Sequence, residues 1–321
     1  MTALLARFAE SAFWLGRYME RADNLARIID VNESFAQDSP EGEDWLPIVE
    51  INADTARFFE RYDTASADNV VQFYVLDQEN PTSILAEVGQ ARENARMLRH
   101  LISTELWTHL NVFHNYLRDL APASLRLSDI SRLCMRIKEN CQTHTGIAEG
   151  TLYRDEVWYF HEIGKHLERA DQTTRLLDIK YHRLLPTPEL VGSPLDSGQW
   201  NALLRSAAGY HAFRRVHPRG MRPETVAGFL LFNRQFPRSL ALSVSASAQR
   251  LERLVGDFGL GHGQAAVDAV HSLEHDLAAS RIEAVVASGL HEYLDSVQQR
   301  IIGITDELGL RFFGYEASEA A

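Results

Sequence analysis

The sequence predicts an all-α protein: a helical bundle built from a tandem duplication of a roughly five-helix unit with pseudo-two-fold symmetry. Three observations lead there. Apolar residues recur at helical spacing almost throughout, alternating β-branched runs are missing, and one polar-apolar string occurs twice. With 321 residues, 45% hydrophobic and 24% charged, the chain is long enough to bury a substantial core.

The repeat is the strongest of the three. Leu15–Val31 and Ile163–Ile179 pair at an offset of 148 with seven identities in seventeen, centred on "ERAD". Chance would give about one. Weaker matches follow in the same order. "DWLPIVEINA" (44–53) pairs with "QWNALLRSAA" (199–208) at an offset of 155, and "VVQFYVLDQENPTSI" (70–84) pairs with "VAGFLLFNRQFPRSL" (226–240) at 156. Gly146-Ile147 pairs with Gly303-Ile304 at 157. The expected organisation is a first helical repeat over 1–150 and a second over 151–321, and a helix continuing from 125 to about 183 would fuse them.

In chain order, the first apolar stripe is Leu15, Met19, Ala22, Ala26 and Ile29. Further stripes run over 45–62, 82–101, 103–119, 125–148, 152–183, 198–212, 237–256, 263–280 and 283–309. Breaks are expected where turn residues gather, at 38–44, 79–81, 121–124, 185–198, 217–223 and 259–263. Only Val70–Leu76 could pass for a strand. No run of about 18 apolar residues exists, so no membrane span is expected. The amphipathic start lacks a small-residue cleavage site, so no signal peptide is expected. Cys134 and Cys141, seven apart on one helical pattern, stand about 10 Å apart, too far for a disulfide. They read as core thiols in a reducing cytoplasm.

On a helix Gly16, Glu20, Asp23, Arg27 and Asp30 form a narrow stripe, repeated by Gly164, Glu168, Asp171, Arg175 and Asp178. Acid precedes base at i, i+4 in Asp23/Arg27 and Asp171/Arg175, the favourable order. Arg21 and Arg169 lie on the opposite flank. Two readings stay open: an ion network at the core boundary with glycine allowing close helix approach, or a site for an amine or a basic partner. Full pairing inside a closed core would decide for the first.

No metal or cofactor is expected. No histidine has Glu three residues before it, as a ferritin-like di-metal bundle would need. His161-Glu162 with His166 is one residue too long for the zinc-binding His-Glu-x-x-His. Neither a phosphate-cradling Gly-Lys-Ser/Thr loop nor a Gly-x-Ser-x-Gly elbow occurs. The net charge of −12 argues against nucleic acid as a partner.

Two basic stretches remain. "ARENARMLR" sets Arg92, Arg96 and Arg99 near one another beside Glu93 and Asn94. "FRRVHPRGMRP" carries Arg214, Arg215, Arg219 and Arg222, with no basic counterpart in the first half. With Arg238 these are candidates for binding an anion or an acidic partner, the alternative being solvated surface.

The strings "AESAFWLGRYMERADNLARIIDV", "ARENARMLR…ISTELWTHLN", "YRDEVWYFHEIGKHLERAD" and "FPRS" resemble the bacterial alpha-E domain family across essentially the whole chain. The recurring Glu-Arg of that family stands here as Glu20-Arg21 and Glu168-Arg169. The resemblance implies an all-helical fold. It also implies the company of a circularly permuted ATP-grasp protein and of a transglutaminase-like protein, hence work on a peptide or amide-linked product. Two functions are therefore expected: a helical accessory protein docking on an ATP-grasp ligase, or an enzyme subunit using Glu20, Asp23, Glu168 and Asp171 itself. A purely structural helical protein and a homo-oligomer both stay open.

Overall fold

The computed structural model describes residues 4–37, 45–120, 127–184 and 194–316. It is all-α, with no strand among the described residues. The elements are α1 (Ala6–Gln37), α2 (Leu46–Ile51), α3 (Thr55–Phe59), α4 (Ala67–Val75), α5 (Ile84–Met97), α6 (Thr104–Arg118) and α7 (Leu127–Thr151). They are followed by α8 (Glu156–Leu184), α9 (Pro194–Ser206), α10 (Tyr210–Val216), α11 (Pro223–Phe232) and α12 (Leu240–Asp257). A 3-10 turn (Gly261–Gly263), α13 (Gln264–Ala279), α14 (Ile282–Ser288), α15 (Leu290–Leu308) and a π turn (Gly309–Phe313) complete the order.

Several expected stripes divide, each for a backbone reason. The stripe over 45–62 breaks at Ala53 and that over 198–212 at Ala208, which carry φ of 56° and 55°. A left-handed residue cannot continue a right-handed helix. The two alanines occupy matched positions of the second pair of strings. The last stripe divides at Gly289, with φ of 109°. Val70–Leu76 lies in and beside α4, not in a strand, because Ser66 caps this helix by accepting from the Asn69 N–H at 3.3 Å. α11 was missed by the stripes, since "VAGFLLF" is apolar all round and shows no single face. The helix expected to continue from 125 to 183 is interrupted by a turn at 152–155. The breaks at 38–44 and 121–124 lie outside the described residues, as does 185–193 of the break expected over 185–198; its remainder, 194–198, instead opens α9, with Pro194 at the helix start.

α1 and α8 form the centre. Leu4 reaches Glu156, Gly16 meets His161, Gly164 meets Phe13, and Arg21 reaches Glu168. The contacts advance together along both helices, so the two run in the same direction. α7 runs back along α1, from Ser131 and Lys138 at Asp30 to the region of Gly16. α15 runs back along α8, from His291 at Asp178 to the π turn, where Phe312 and Phe313 meet Phe160 edge-on. Buried residues of both halves join in one hydrophobic cluster, from Ala9 to Phe313.

Glycine permits the central approach. A Cβ built on Gly16 would lie 2.2 Å from the His161 carbonyl oxygen, and one on Gly164 would lie 2.1 Å from that of Phe13. The two contacts exchange matched positions of the repeated strings. At this separation the glycine Cα–H groups lie against carbonyl oxygens, a weak favourable contact.

Candidate functional site

The two Glu-Arg strings exchange partners across the α1–α8 seam. Arg169 donates from Nε and Nη2 to the two oxygens of Glu20 at 2.9 and 2.7 Å. Arg21 donates from Nε to Glu168 at 2.7 Å, and Arg17 takes the other Glu168 oxygen at 2.6 Å. Within each helix Arg27 holds Asp23 at 2.9 Å and Arg175 holds Asp171 at 2.8 Å. Arg21 and Arg169, expected away from the acids of their own helix, meet the acid of the other. All four acids are buried. Burial alone would raise the carboxyls of Glu20 and Glu168, but the facing guanidiniums outweigh it and hold both down to about 2.

The halves then differ. Arg238, from the loop before α12, donates to Glu20 at 2.9 Å and Asn24 at 2.6 Å, and also reaches Asp23. Its matched residue is Thr82, which turns to Asp54 and Asn80 at 2.7 Å each. The surrounding turns are otherwise built alike, Ser83 donating to the Asp77 carbonyl and Ser239 to the Asn233 carbonyl. On the other side Glu87 of α5 stands 3.6 Å from Arg21. Burial pushes its carboxyl up to about 8, more than Arg21 can offset, so it is largely protonated at neutral pH.

A cavity of about 410 Å³ opens between α1, α7 and α8 on the Glu20 side. Glu20, Asp23, Lys165, Arg169 and Arg238 form its inner wall, and Cys141, His144, Thr145 and Gly146 line it from α7. His144 and His161 meet Nε2 to Nε2 at 3.1 Å, so one ring donates and the other accepts. Burial, then the neighbouring His161, drives the His144 pKa well down, so the ring is neutral. His161 Nδ1 stands 3.4 Å from Glu162, whose carboxylate also faces Lys165, His166 and Arg250. Burial lowers the His166 pKa to about 4. His161 and His166 approach opposite oxygens of Glu162. Among the described residues no group of three or more His, Cys, Asp or Glu is gathered to hold a metal ion.

This helical frame, with an exchanged Glu-Arg pair at its centre, matches a family model over residues 4–313, described as a predicted alpha-helical domain with a conserved ER motif. The chain belongs to the Alpha-E family. It is similar to an uncharacterised protein of Mycobacterium bovis, 26% identical over 310 residues that cover 90% of this chain and 34% of the relative. Two uncharacterised proteins of Mycobacterium tuberculosis match over the same extent at 26% and 25%. The chain thus spans about a third of the length of these curated relatives, 34% in each case. No solved structure matches it.

The remaining candidates of this Alpha-E domain lie elsewhere. Arg92 donates to Asn111 and Glu93 at 2.8 Å, and Arg96 to Glu93 at 2.7 Å, a self-paired helix face on which Asn94 is half-buried. Arg214, Arg215, Arg219 and Arg222 are exposed and form no ion pair among the described residues. Arg238 is no surface anion site as expected from its sequence position, because it is spent on Glu20 and Asp23. His144, Lys165, Arg17 and Glu87 were missed. The mismatch of His161 with Phe13 at the offset of 148 was the one available signal, since the repeated core explains matched residues and leaves mismatches to be accounted for. Cys134 and Cys141 are free and buried, and no helix among the described residues is long and apolar enough to cross a membrane.

Proposed function

We propose that this Alpha-E domain is a helical accessory protein that partners an ATP-grasp ligase in making or modifying a peptide or amide-linked product. The observation that carries this reading is the arginine segment of α10 and the loop after it. Arg214, Arg215, Arg219 and Arg222 are exposed and unneutralised on a chain of net charge −12. Among the described residues no ion pair uses these charges. A guanidinium binds carboxylate in two-pronged fashion, so an acidic partner surface suits the segment. ATP-grasp enzymes activate a carboxylate as an acyl phosphate and pass it to an amine. The resemblance to the family implies the company of a circularly permuted protein of that kind and of a transglutaminase-like protein, and the reading rests on that implication. The length of the mycobacterial relatives, about three times the matched stretch, leaves room for such a partner on the same chain. Buried free thiols suit a reducing cytoplasm.

The same reading takes the two halves as copies of one duplicated unit. Matched residues then serve packing, and later differences such as the arginine segment serve function. The test is co-purification with the neighbouring gene products, followed by ATP-dependent amide formation by the complex. Co-elution, weakened by reversing Arg214, Arg215 and Arg219 to Glu, supports the proposal. Separate elution with no effect on the ligase's ATP turnover refutes it.

A second reading, a subunit that contributes its own site, is favoured by the cavity at Lys165 and His144. It does not rest on Glu20, Asp23, Glu168 or Asp171 as acids and bases, because each is held by at least one arginine.

A further inference from the structure

We infer that the cavity between α1, α7 and α8 binds a small ligand through an oxyanion, a carboxylate or phosphate group, received by Lys165 and Arg169. The inference rests on the cavity alone and does not depend on the ligase partnership. Its volume of about 410 Å³ falls within the usual range of small-molecule sites, about 300–1,000 Å³.

The cations of the inner wall, Lys165, Arg169 and Arg238, are joined in ion pairs to Glu162, Glu20 and Asp23. Glu149 also lines the cavity, but it is exposed at the rim and is engaged by Arg154 at 2.7 Å.

The accessible polar surface of the inner wall is cationic. The side chains of Lys165, Arg169 and Arg238 keep 11%, 14% and 12% exposure, against 4% and 6% for Glu20 and Asp23. Past the rim carboxylate of Glu149, a ligand meets N–H donors. Donors also remain to be used. Lys165 has three N–H bonds and gives one to Glu162, while Arg169 Nη1 makes only a 3.5 Å contact to the Pro237 carbonyl.

The matched face of the second string keeps the cations, Arg17 for Lys165 and Arg21 for Arg169, but lacks the rest of this equipment. At the matched positions Thr82 stands for Arg238, Phe13 for His161 and Ile301 for His144. Shared packing therefore does not account for the polar lining.

The test is isothermal titration of the whole chain with inorganic phosphate and, separately, with succinate, at ionic strength held constant with sodium chloride. Lys165→Gln removes the received charge. Gly146→Phe fills the cavity from α7, where an added Cβ meets nothing within 4 Å. The expected result is saturable one-to-one binding of one probe. Binding should be weakened at least ten-fold by Lys165→Gln and abolished by Gly146→Phe, with helicity unchanged in the latter. Which probe binds assigns the group as phosphate or carboxylate. If neither probe binds saturably, or if Gly146→Phe binds as the wild type does, the inference is wrong. Should Lys165→Gln fail to fold, Gly146→Phe decides.

Discussion

Replacing Gly16 by alanine tests the α1–α8 seam with a single methyl group. The added Cβ would stand 2.2 Å from the His161 carbonyl oxygen and 3.0 Å from the Lys165 nitrogen. Both are backbone atoms of a buried helix, so no side chain can swing aside. Restoring an ordinary contact needs the helices to part by roughly 1 Å, and a gap of that size forfeits a quarter to a half of each dispersion contact along the seam. Overpacking of this kind costs about 1–3 kcal/mol, and occasionally more. Alanine recovers about 1 kcal/mol through its better helix propensity. Because the clash is backbone against backbone, the cost should lie near the top of that range, leaving a net loss of about 2 kcal/mol. Gly164→Ala, 2.1 Å from the Phe13 oxygen, should lose as much. The double variant should lose less than the sum, because the first methyl already opens the pair. Gly303→Ala in α15 is the control: its Cβ meets nothing within 4 Å, so it should gain about 0.5–1 kcal/mol. Urea unfolding followed by circular dichroism reads all four. If Gly16→Ala proves as stable as the wild type while Gly303→Ala gains, the close approach is refuted.

Glu87 carries a raised carboxyl, about 8 against 4.5 for the ordinary group, so the native state binds more protons than the unfolded one between those values. Stability should therefore fall by a few kcal/mol as pH rises from about 4.5 to 8, and Glu87→Gln should flatten that slope; an unchanged slope in urea titrations would show Glu87 to be ionised. Glu20 and Glu168 are depressed to about 2, so their contribution is complete above pH 4.5 and is lost as pH falls toward 2, up to about 3 kcal/mol each. Acid unfolding should begin below pH 4.5, and Glu168→Gln, less stable at pH 7, should converge on the wild type near pH 2. Reversing Arg214, Arg215 and Arg219 together should leave stability within about 0.5 kcal/mol, since these side chains are exposed and unpaired. A larger loss would mean that the fold uses them.

Much of this was legible in the sequence where periodicity and repetition act together. α1, α5, α6, α7, α8, α12, α13 and α15 follow their stripes, because each buries one face and exposes another. Short elements were not legible. α2 and α3 merge in the pattern, since only the left-handed Ala53 separates them and alanine gives no turn signal. The Glu-Arg strings announced an ion network but not its wiring. Helical spacing places Arg21 away from Glu20, and only the direction of α8 brings Glu168 to meet it. Arg238 stood in a loop that sequence alone left on the surface, yet its guanidinium completes the first clamp. The cavity histidines are 17 residues apart on two helices, and no spacing rule joins them.

The exchange of partners between the two Glu-Arg strings is best tested by a double-mutant cycle on Glu20→Gln and Arg169→Met, residues 149 apart in sequence. Removing one member of a buried pair strands the other, so each single variant should lose about 3–5 kcal/mol. The double variant should lose little more than either single, so the coupling energy should approach a single loss, about 3 kcal/mol or more. Additive losses, with no coupling between the two positions, would contradict the exchange.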